Sequence, residues 1–230
     1  MNQGAQVLTP AGGGALAAQR NRVLRNTYWL LALSMVPTVL GAWIGVQTGI
    51  SQAMSPGIGL VVFLAGAFGF MFAIERTKNS AAGVPLLLAF TFFMGLMLAR
   101  LLGVVLGLSN GTGLVMTAFA GTGVIFLGMA TMSTVVKRDL TQMGKFLFIG
   151  MIMLLVAMIA NFFIQSGPLM ITLSVLAIGI FSLFILHDLK RVQDGIETNY
   201  ITATLGVYLS LYNVFSNLLA LLGIFGGDGD

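Results

Sequence analysis

Long apolar segments separated by short polar gaps run through most of the chain. Each segment has about 20 mostly apolar residues, the length an α-helix needs to cross a hydrocarbon core of about 30 Å. Six segments are clear, and the seventh is more polar. The predicted spans are residues 27–50, 57–74, 84–107, 113–136, 146–164, 169–187 and 200–225. The pattern predicts an all-α integral membrane protein, a bundle of seven transmembrane helices.

The seventh segment carries a stripe of small and polar residues at spacings of three and four, which share one helix face. They are Ala203, Gly206, Ser210, Asn213, Asn217 and Ala220. Between other helices such a face permits close approach and interhelical hydrogen bonds, whereas in lipid it would lack partners. We therefore expect the last helix to lie at the centre of the bundle.

A second ridge of small residues lies on the first span. Gly41, Gly45 and Gly49 are four residues apart, so they share one face of a helix. Small residues let another helix backbone approach closely. The ridge predicts either a packing seam within the chain, which we favour, or a contact in a dimer.

Ten of the eleven Lys and Arg residues lie in alternate gaps between the spans, and the intervening gaps 51–56, 108–112 and 165–168 hold no charge. The ten are Arg20, Arg22, Arg25, Arg76, Lys78, Lys137, Arg138, Lys145, Lys190 and Arg191. Because cytoplasmic loops collect Lys and Arg, the N-terminus is predicted to be cytoplasmic. Seven full spans place the C-terminus on the other side, whereas a re-entrant seventh segment would return it.

Composition agrees with a membrane protein. Hydrophobic residues make up 57% of the chain and charged residues 8%, against roughly 25% charged in soluble domains. The net charge of +4 is spread over short loops without a basic face, so no nucleic-acid partner is expected. We predict a disordered N-terminal tail with a basic flank over residues 1–25, a transmembrane domain over 26–226 and a short acidic tail over 227–230.

Residues 107–111 match the G-x-S-x-G pattern of serine hydrolases. A nucleophilic Ser109 needs a base at about 3 Å, and the only histidine is His187. The topology puts these residues on opposite sides of the membrane. Without cysteine, a Walker loop, H-E-x-x-H, a dinucleotide fingerprint or an EF-hand loop, we expect no catalytic residue, cofactor or metal site.

His187 and Asp188 stand side by side at the predicted cytoplasmic end of the sixth span. Adjacent residues on a helix point about 100° apart, so they are not expected to pair. One interpretation is a polar interfacial helix end. The other is a buried carboxylate that titrates, since low dielectric favours its neutral form and a nearby cation its charged form. Arg76 or Lys78 is the candidate cation.

Arg100 is the exception to the alternating charge. It lies about sixteen residues into the third span, about 24 Å from the inner end. A cation facing lipid at that depth is costly. We expect its side chain to snorkel toward the outer headgroups, and the alternative is that it lines a water-filled cavity.

Several strings of residues resemble one known family. They are R-V-L-R-N-T-Y-W at 22–29, A-F-A-G-T-G-V-I-F at 118–126, K-R-D-L-T-Q-M-G at 137–144, E-T-N-Y-I-T-A-T at 197–204 and Y-L-S-L-Y-N-V-F at 208–215. They resemble the Bax inhibitor-1 family, and within it the bacterial YccA branch, from about residue 22 to 223. The resemblance implies a seven-helix bundle with the last helix central, in a bacterial inner membrane.

The same resemblance implies two activities. Members of the YccA branch bind the membrane-bound protease FtsH and modulate it. Other members are pH-sensitive calcium leaks in which two aspartates share a proton and an arginine from the second helix joins them. By resemblance Asp188 is the first aspartate, Ser210 stands at the second position and Arg76 is the arginine. The paired-carboxylate switch is therefore incomplete in this chain.

Overall fold

Eight helices form a single bundle in the computed structural model, which describes residues 11–227. Seven of these helices are long and apolar enough to cross a membrane, and α2 is a single turn in the connection between two of them. The helices are α1 Ala11–Thr48, α2 Ile50–Ala53, α3 Pro56–Thr77, α4 Gly83–Leu106, α5 Gly111–Val135, α6 Thr141–Ile164, α7 Gly167–Gln193 and α8 Tyr200–Gly227. The predicted seven-helix membrane fold is confirmed.

The two ends of the bundle differ in the charge of their connections. The charged end holds the connections 78–82, 136–140 and 194–199, with Lys, Arg, Asp and Glu. The uncharged end holds the connections 49–55, 107–110 and 165–166, without any of these residues. Helix α8 starts at the charged end, and Gly223 near its end packs on Val105 of α4. It is one continuous span, so a re-entrant hairpin is ruled out.

Helix α8 lies at the centre of the bundle, as predicted. It packs against α1, α4, α5 and α7, and no residue from 200 to 224 is exposed. The stripe residues Ser210, Asn213 and Asn217 donate to carbonyls of α8 itself rather than across helices. The predicted interhelical bonds from this stripe are therefore wrong, because a carbonyl one turn back on the same helix is within reach of a short polar side chain.

Hydroxyl groups on a neighbouring face of α8 make the bonds to other helices. Tyr208 Oη lies 2.9 Å from Thr38 Oγ1 of α1, and Tyr212 Oη donates to Met94 O of α4 at 3.3 Å. Thr204 Oγ1 approaches Thr27 O at 3.4 Å. Tyrosine reaches where serine and asparagine do not, since its hydroxyl stands beyond a full ring.

The glycine ridge of α1 is a seam within the chain, against α4. A Cβ built on Gly41 would lie 2.2 Å from Phe92 O, and one on Gly45 would lie 2.5 Å from Ala99 Cβ. Gly95 is the matching small residue on α4, where a Cβ would lie 2.1 Å from Thr38 O of α1. Gly49 is not part of the seam, because it ends α1 with a φ of 65°. Helices α1 and α4 therefore touch backbone to backbone.

Three predicted boundaries are wrong. Residues 11–25, predicted to be disordered, form the first turns of α1, while residues 1–10 and 228–230 lie outside the described residues. Helix α6 starts at Thr141 rather than at 146, and α7 continues to Gln193, six residues beyond His187. Polar residues extend these helices past the apolar core, and in α7 Lys190 and Arg191 favour the last turn through the helix dipole.

Candidate functional site

Asp188 is positioned at the α7–α8 interface near the charged end. Its Oδ2 lies 2.7 Å from where a Cβ on Gly206 would stand, so the absence of a side chain at 206 makes room for the carboxylate. Beside it is a cavity of about 200 Å³ lined also by Arg191, Glu197 and Thr202. Asp188 is thus a partly buried acid facing the central helix, not a solvated helix end.

The neighbour of Asp188 is His187, contrary to the expectation that the two would not pair. His187 Nδ1 and Asp188 Oδ1 are 3.2 Å apart, and the side chains are 10% and 18% exposed. The imidazole is held on its other side by Gly144 of α6, where a Cβ would lie 2.5 Å from Nε2. The ring of Phe184 meets it edge-on. The absence of a side chain at Gly144 thus leaves room for the imidazole between α6 and α7.

Arg76 and Asp188 are not brought together. Arg76 is exposed, and its guanidinium carbon lies 4.9 Å from the centre of the Phe72 ring. Lys78 pairs with Glu75 on its own helix. Helix α3 packs against α4 and makes no substantial contact with α7, so its cations cannot reach the carboxylate.

Ser210 lies one helical turn beyond Gly206 on α8. Its Oγ donates to Gly206 O at 3.0 Å and the side chain is buried. Ser210 does not line the cavity, whereas Gly206 and Leu209 do. The hydroxyl therefore continues the polar face of α8 from the cavity toward Asn213 and Asn217, rather than acting as a direct partner of Asp188.

Two polar residues of the cavity were missed from the sequence. Glu197 lies 3.9 Å from Arg191 and also accepts a hydrogen bond from Asn199 N at 2.9 Å. Thr202 Oγ1 is buried and has no hydrogen-bond partner among the described residues. The spacing of Thr202 and Gly206 by four residues was the available signal, because it places the hydroxyl one turn below the glycine on the same face.

The E-T-N-Y string, which carries part of the resemblance, fastens the connection between α7 and α8. Asn199 Oδ1 accepts from Ile201 N at 2.9 Å and so caps α8, while Nδ2 donates to Asn79 Oδ1 at 2.8 Å and to Lys78 O at 3.1 Å. One amide therefore joins the start of the central helix to the connection between α3 and α4. This part of the string is explained by structure alone.

Asp139 lies in the connection before α6, two residues from the start of that helix, and is fully exposed. The Thr141 hydroxyl and the Thr141 backbone N–H both donate to its carboxylate and lower the pKa of Asp139 below its usual value. Nearby Lys190 adds a smaller contribution of the same sign. The carboxylate therefore stays ionised at the start of α6, where negative charge is favourable.

Arg100 lines a second cavity, of about 340 Å³, next to the uncharged end. The guanidinium Nη1 donates to Met54 O at 3.3 Å, just before α3 begins. Leu60 and Phe63 of α3, Phe162 of α6 and Tyr212 of α8 also face this cavity. The guanidinium thus reaches toward the uncharged end and also lines a cavity. Its contact with headgroups or with water stays a prediction.

Ser109 lies in the turn between α4 and α5, not on the strand-to-helix turn of a hydrolase. His187 packs against Gly144 near the start of α6, and the 25 residues of α5 separate the two ends by about 37 Å. The motif therefore has no base within reach.

Residues 20–227 match the family described as inhibitor of apoptosis-promoting Bax1. An Escherichia coli K12 protein named "Modulator of FtsH protease YccA" is 35% identical over 208 residues, covering 90% of this chain and 92% of the relative. The same identity and coverage hold for the "Inner membrane protein YccA" of Escherichia coli O6:H1. An uncharacterized membrane protein of Vibrio cholerae is 35% identical over 91% of this chain and 92% of its own length. The chain belongs to the Bax inhibitor-1 family.

Proposed function

We propose that this chain is a non-enzymatic, multi-pass protein of the bacterial inner membrane that binds and modulates the FtsH protease. The observation that carries the proposal is the 35% identity, over nine tenths of both chains, to a relative named as a modulator of that protease. The N-terminus lies in the cytoplasm and the C-terminus in the periplasm, which follows from the basic residues of the charged end.

The charged end offers a surface on which a cytoplasmic part of a protease could dock. The N-terminal turns of α1 extend beyond the bilayer, because 38 residues of helix measure about 57 Å against a core of about 30 Å. Arg20 and Arg22 on these turns are exposed, as is Arg138 in the connection before α6. Rim charges of this kind set association rate and partner choice more than affinity.

Deleting the gene is expected to shorten the half-life of membrane proteins that FtsH degrades, as measured by pulse-chase. The tagged chain should co-purify with FtsH from native membranes. The proposal would be refuted if the deletion left the half-life of these membrane proteins unchanged and the tagged chain did not co-purify with FtsH. Complementation with Arg20→Gln/Arg22→Gln, against the wild-type chain, tests whether the charged turns of α1 contribute.

The second candidate is a cation or calcium leak gated near Asp188, in which protons share the site. The observation that favours it is the cavity that joins Asp188, Glu197 and the Thr202 hydroxyl, from which the polar face of α8 continues. Within residues 11–227 that hydroxyl has no hydrogen-bond partner. Calcium bound tightly takes six to eight oxygens. Among residues 11–227 no group of three or more His, Asp or Glu side chains is placed to hold a metal ion. This suits the passage of calcium through the site better than tight binding of calcium there.

Protein reconstituted in liposomes is then expected to pass calcium, and Asp188→Asn is expected to reduce the flux at least tenfold, read with an enclosed fluorescent indicator. Asp194→Asn is the matched control: it removes the same charge two turns along, where the carboxylate pairs with Lys190 outside the cavity. Equal flux in wild type and Asp188→Asn would contradict the leak. If Asp188→Asn still restores FtsH modulation in the deletion strain, the two activities are separate.

A further inference from the structure

The cavity beside Arg100 combines one cation with apolar walls. Its lining includes Leu60 and Phe63 of α3, Met97 of α4, Phe162 of α6 and Tyr212 of α8. Helix α3 packs on α4 and α6 packs on α7, and α3 and α6 make no substantial contact with each other. The α3 and α6 parts of the lining therefore belong to helices that do not pack against each other.

The guanidinium has spare hydrogen-bonding capacity. Arginine carries five N–H donors, and within residues 11–227 the only hydrogen bond that Arg100 makes is the one from Nη1 to Met54 O. No carboxylate in that part of the chain lies within ion-pair distance of it, and Arg100 is half-buried. A half-buried cation beside apolar side chains favours a ligand that combines an anionic group with an apolar chain.

The guanidinium lies at a depth that a lipid headgroup reaches. Arg100 precedes the end of α4 by six residues, about 9 Å, and its side chain reaches Met54, which stands one residue before the α3 cap Ser55. Gly59 leaves the cavity open beside the cation, since the nearest atom to a Cβ built there is Arg100 Nη1 at 3.6 Å. Arginine pairs with phosphate oxygens through two parallel N–H donors.

We propose that this cavity binds one anionic phospholipid from the leaflet at the uncharged end. Arg100 holds the phosphate, and an acyl chain lies between α3 and α6 against Phe63 and Phe162. A lipid fits better than a free phosphate because most of the named lining side chains are apolar. The site is independent of the function proposed above, since it stands at the opposite end of the bundle from Asp188.

The test is native mass spectrometry of the detergent-purified chain titrated with dioleoylphosphatidylglycerol. We expect one lipid to bind the wild type more tightly than the rest, and Arg100→Gln to weaken that binding at least about tenfold, as expected for a hydrogen bond to a charged group. Arg76→Gln is the matched control, because it removes one exposed arginine at the charged end. Its first lipid should bind as in the wild type.

A second variant keeps the test decisive if Arg100→Gln does not fold. Gly59→Leu leaves the charge in place and puts a side chain into the cavity, so it should also weaken the first lipid about tenfold. Inorganic phosphate at millimolar concentration should not displace the lipid. Equal lipid affinity in wild type and Gly59→Leu, or displacement by inorganic phosphate, would overturn the proposal.

Discussion

Replacing Gly95 with alanine is expected to destabilise the protein by about 3 kcal/mol, although the change adds a single methyl group. The new Cβ would lie 2.1 Å from Thr38 O and 2.9 Å from Ala42 N, both backbone atoms of α1. A side chain could rotate away, but a helix backbone cannot, so α1 and α4 must separate. Overpacking of a core costs about 1–3 kcal/mol, and the upper end applies where the neighbour cannot move.

The consequence of this separation extends beyond the seam. Helix α1 also packs against α8, where Tyr208 of α8 lies within hydrogen-bond distance of Thr38 next to the seam. A displaced α1 therefore loses part of its contact with the central helix as well. In membrane proteins, close packing and interhelical hydrogen bonds hold helices together, because the lipid is as apolar as their side chains.

The measurement is the midpoint of thermal unfolding in detergent, where 3 kcal/mol corresponds to a fall of roughly 10 °C. Gly128→Ala is the control: its Cβ would meet nothing within 4 Å on the exposed face of α5. That change should be neutral or slightly stabilising, since alanine is the better helix former. Equal midpoints for Gly95→Ala and Gly128→Ala would contradict the backbone contact between α1 and α4.

The seam also shows what the sequence could reveal of the fold. Spacing alone identified Gly41 and Gly45, because a helix repeats every three to four residues. The partner Gly95 was not identified, since it stands singly within an apolar run and periodicity carries no information about which helix faces which. Length and hydropathy were sufficient to predict the seven spans, and the polar stripe was sufficient to predict the central position of α8. The stripe did not predict the hydrogen bonds between α8 and its neighbours, which Thr204, Tyr208 and Tyr212 make.

The candidate site was less predictable for a related reason. Topology correctly placed Arg76 and Asp188 at one end of the bundle, yet being at the same end does not imply contact. The helices that pack against α7 decide which cations can approach Asp188, and the sequence contains no signal for that choice. The structure packs α5, α6 and α8 against α7 and leaves α3 apart from it, so the group beside Asp188 is His187 of α7 itself.

Replacing Tyr208 with alanine is expected to cost about 3–5 kcal/mol, the range for truncating a buried aromatic residue. Tyr208 is 1% exposed at the centre of the bundle, and its ring meets Phe90 edge-on at 6.1 Å between centroids. Because the surrounding helices are fixed by the α1–α4 seam, they cannot collapse to fill the space. The loss should appear as a large decrease in the free energy of unfolding in mixed micelles titrated with a denaturing detergent.

Tyr208→Phe separates the hydroxyl from the ring and should cost only about 1 kcal/mol. Thr38 Oγ1 donates to Ser34 O at 2.8 Å, and the Tyr208 hydroxyl has two acceptors in reach, Thr38 Oγ1 at 2.9 Å and Thr91 O at 3.4 Å. Removing this hydroxyl therefore leaves no buried donor unpaired. Phe119→Ala on the exposed face of α5 is the control for ring loss, since lipid replaces the ring there. If Tyr208→Ala cost no more than Phe119→Ala, α8 could not be the central helix, and the polar face that runs from Asp188 along α8 would lie against lipid.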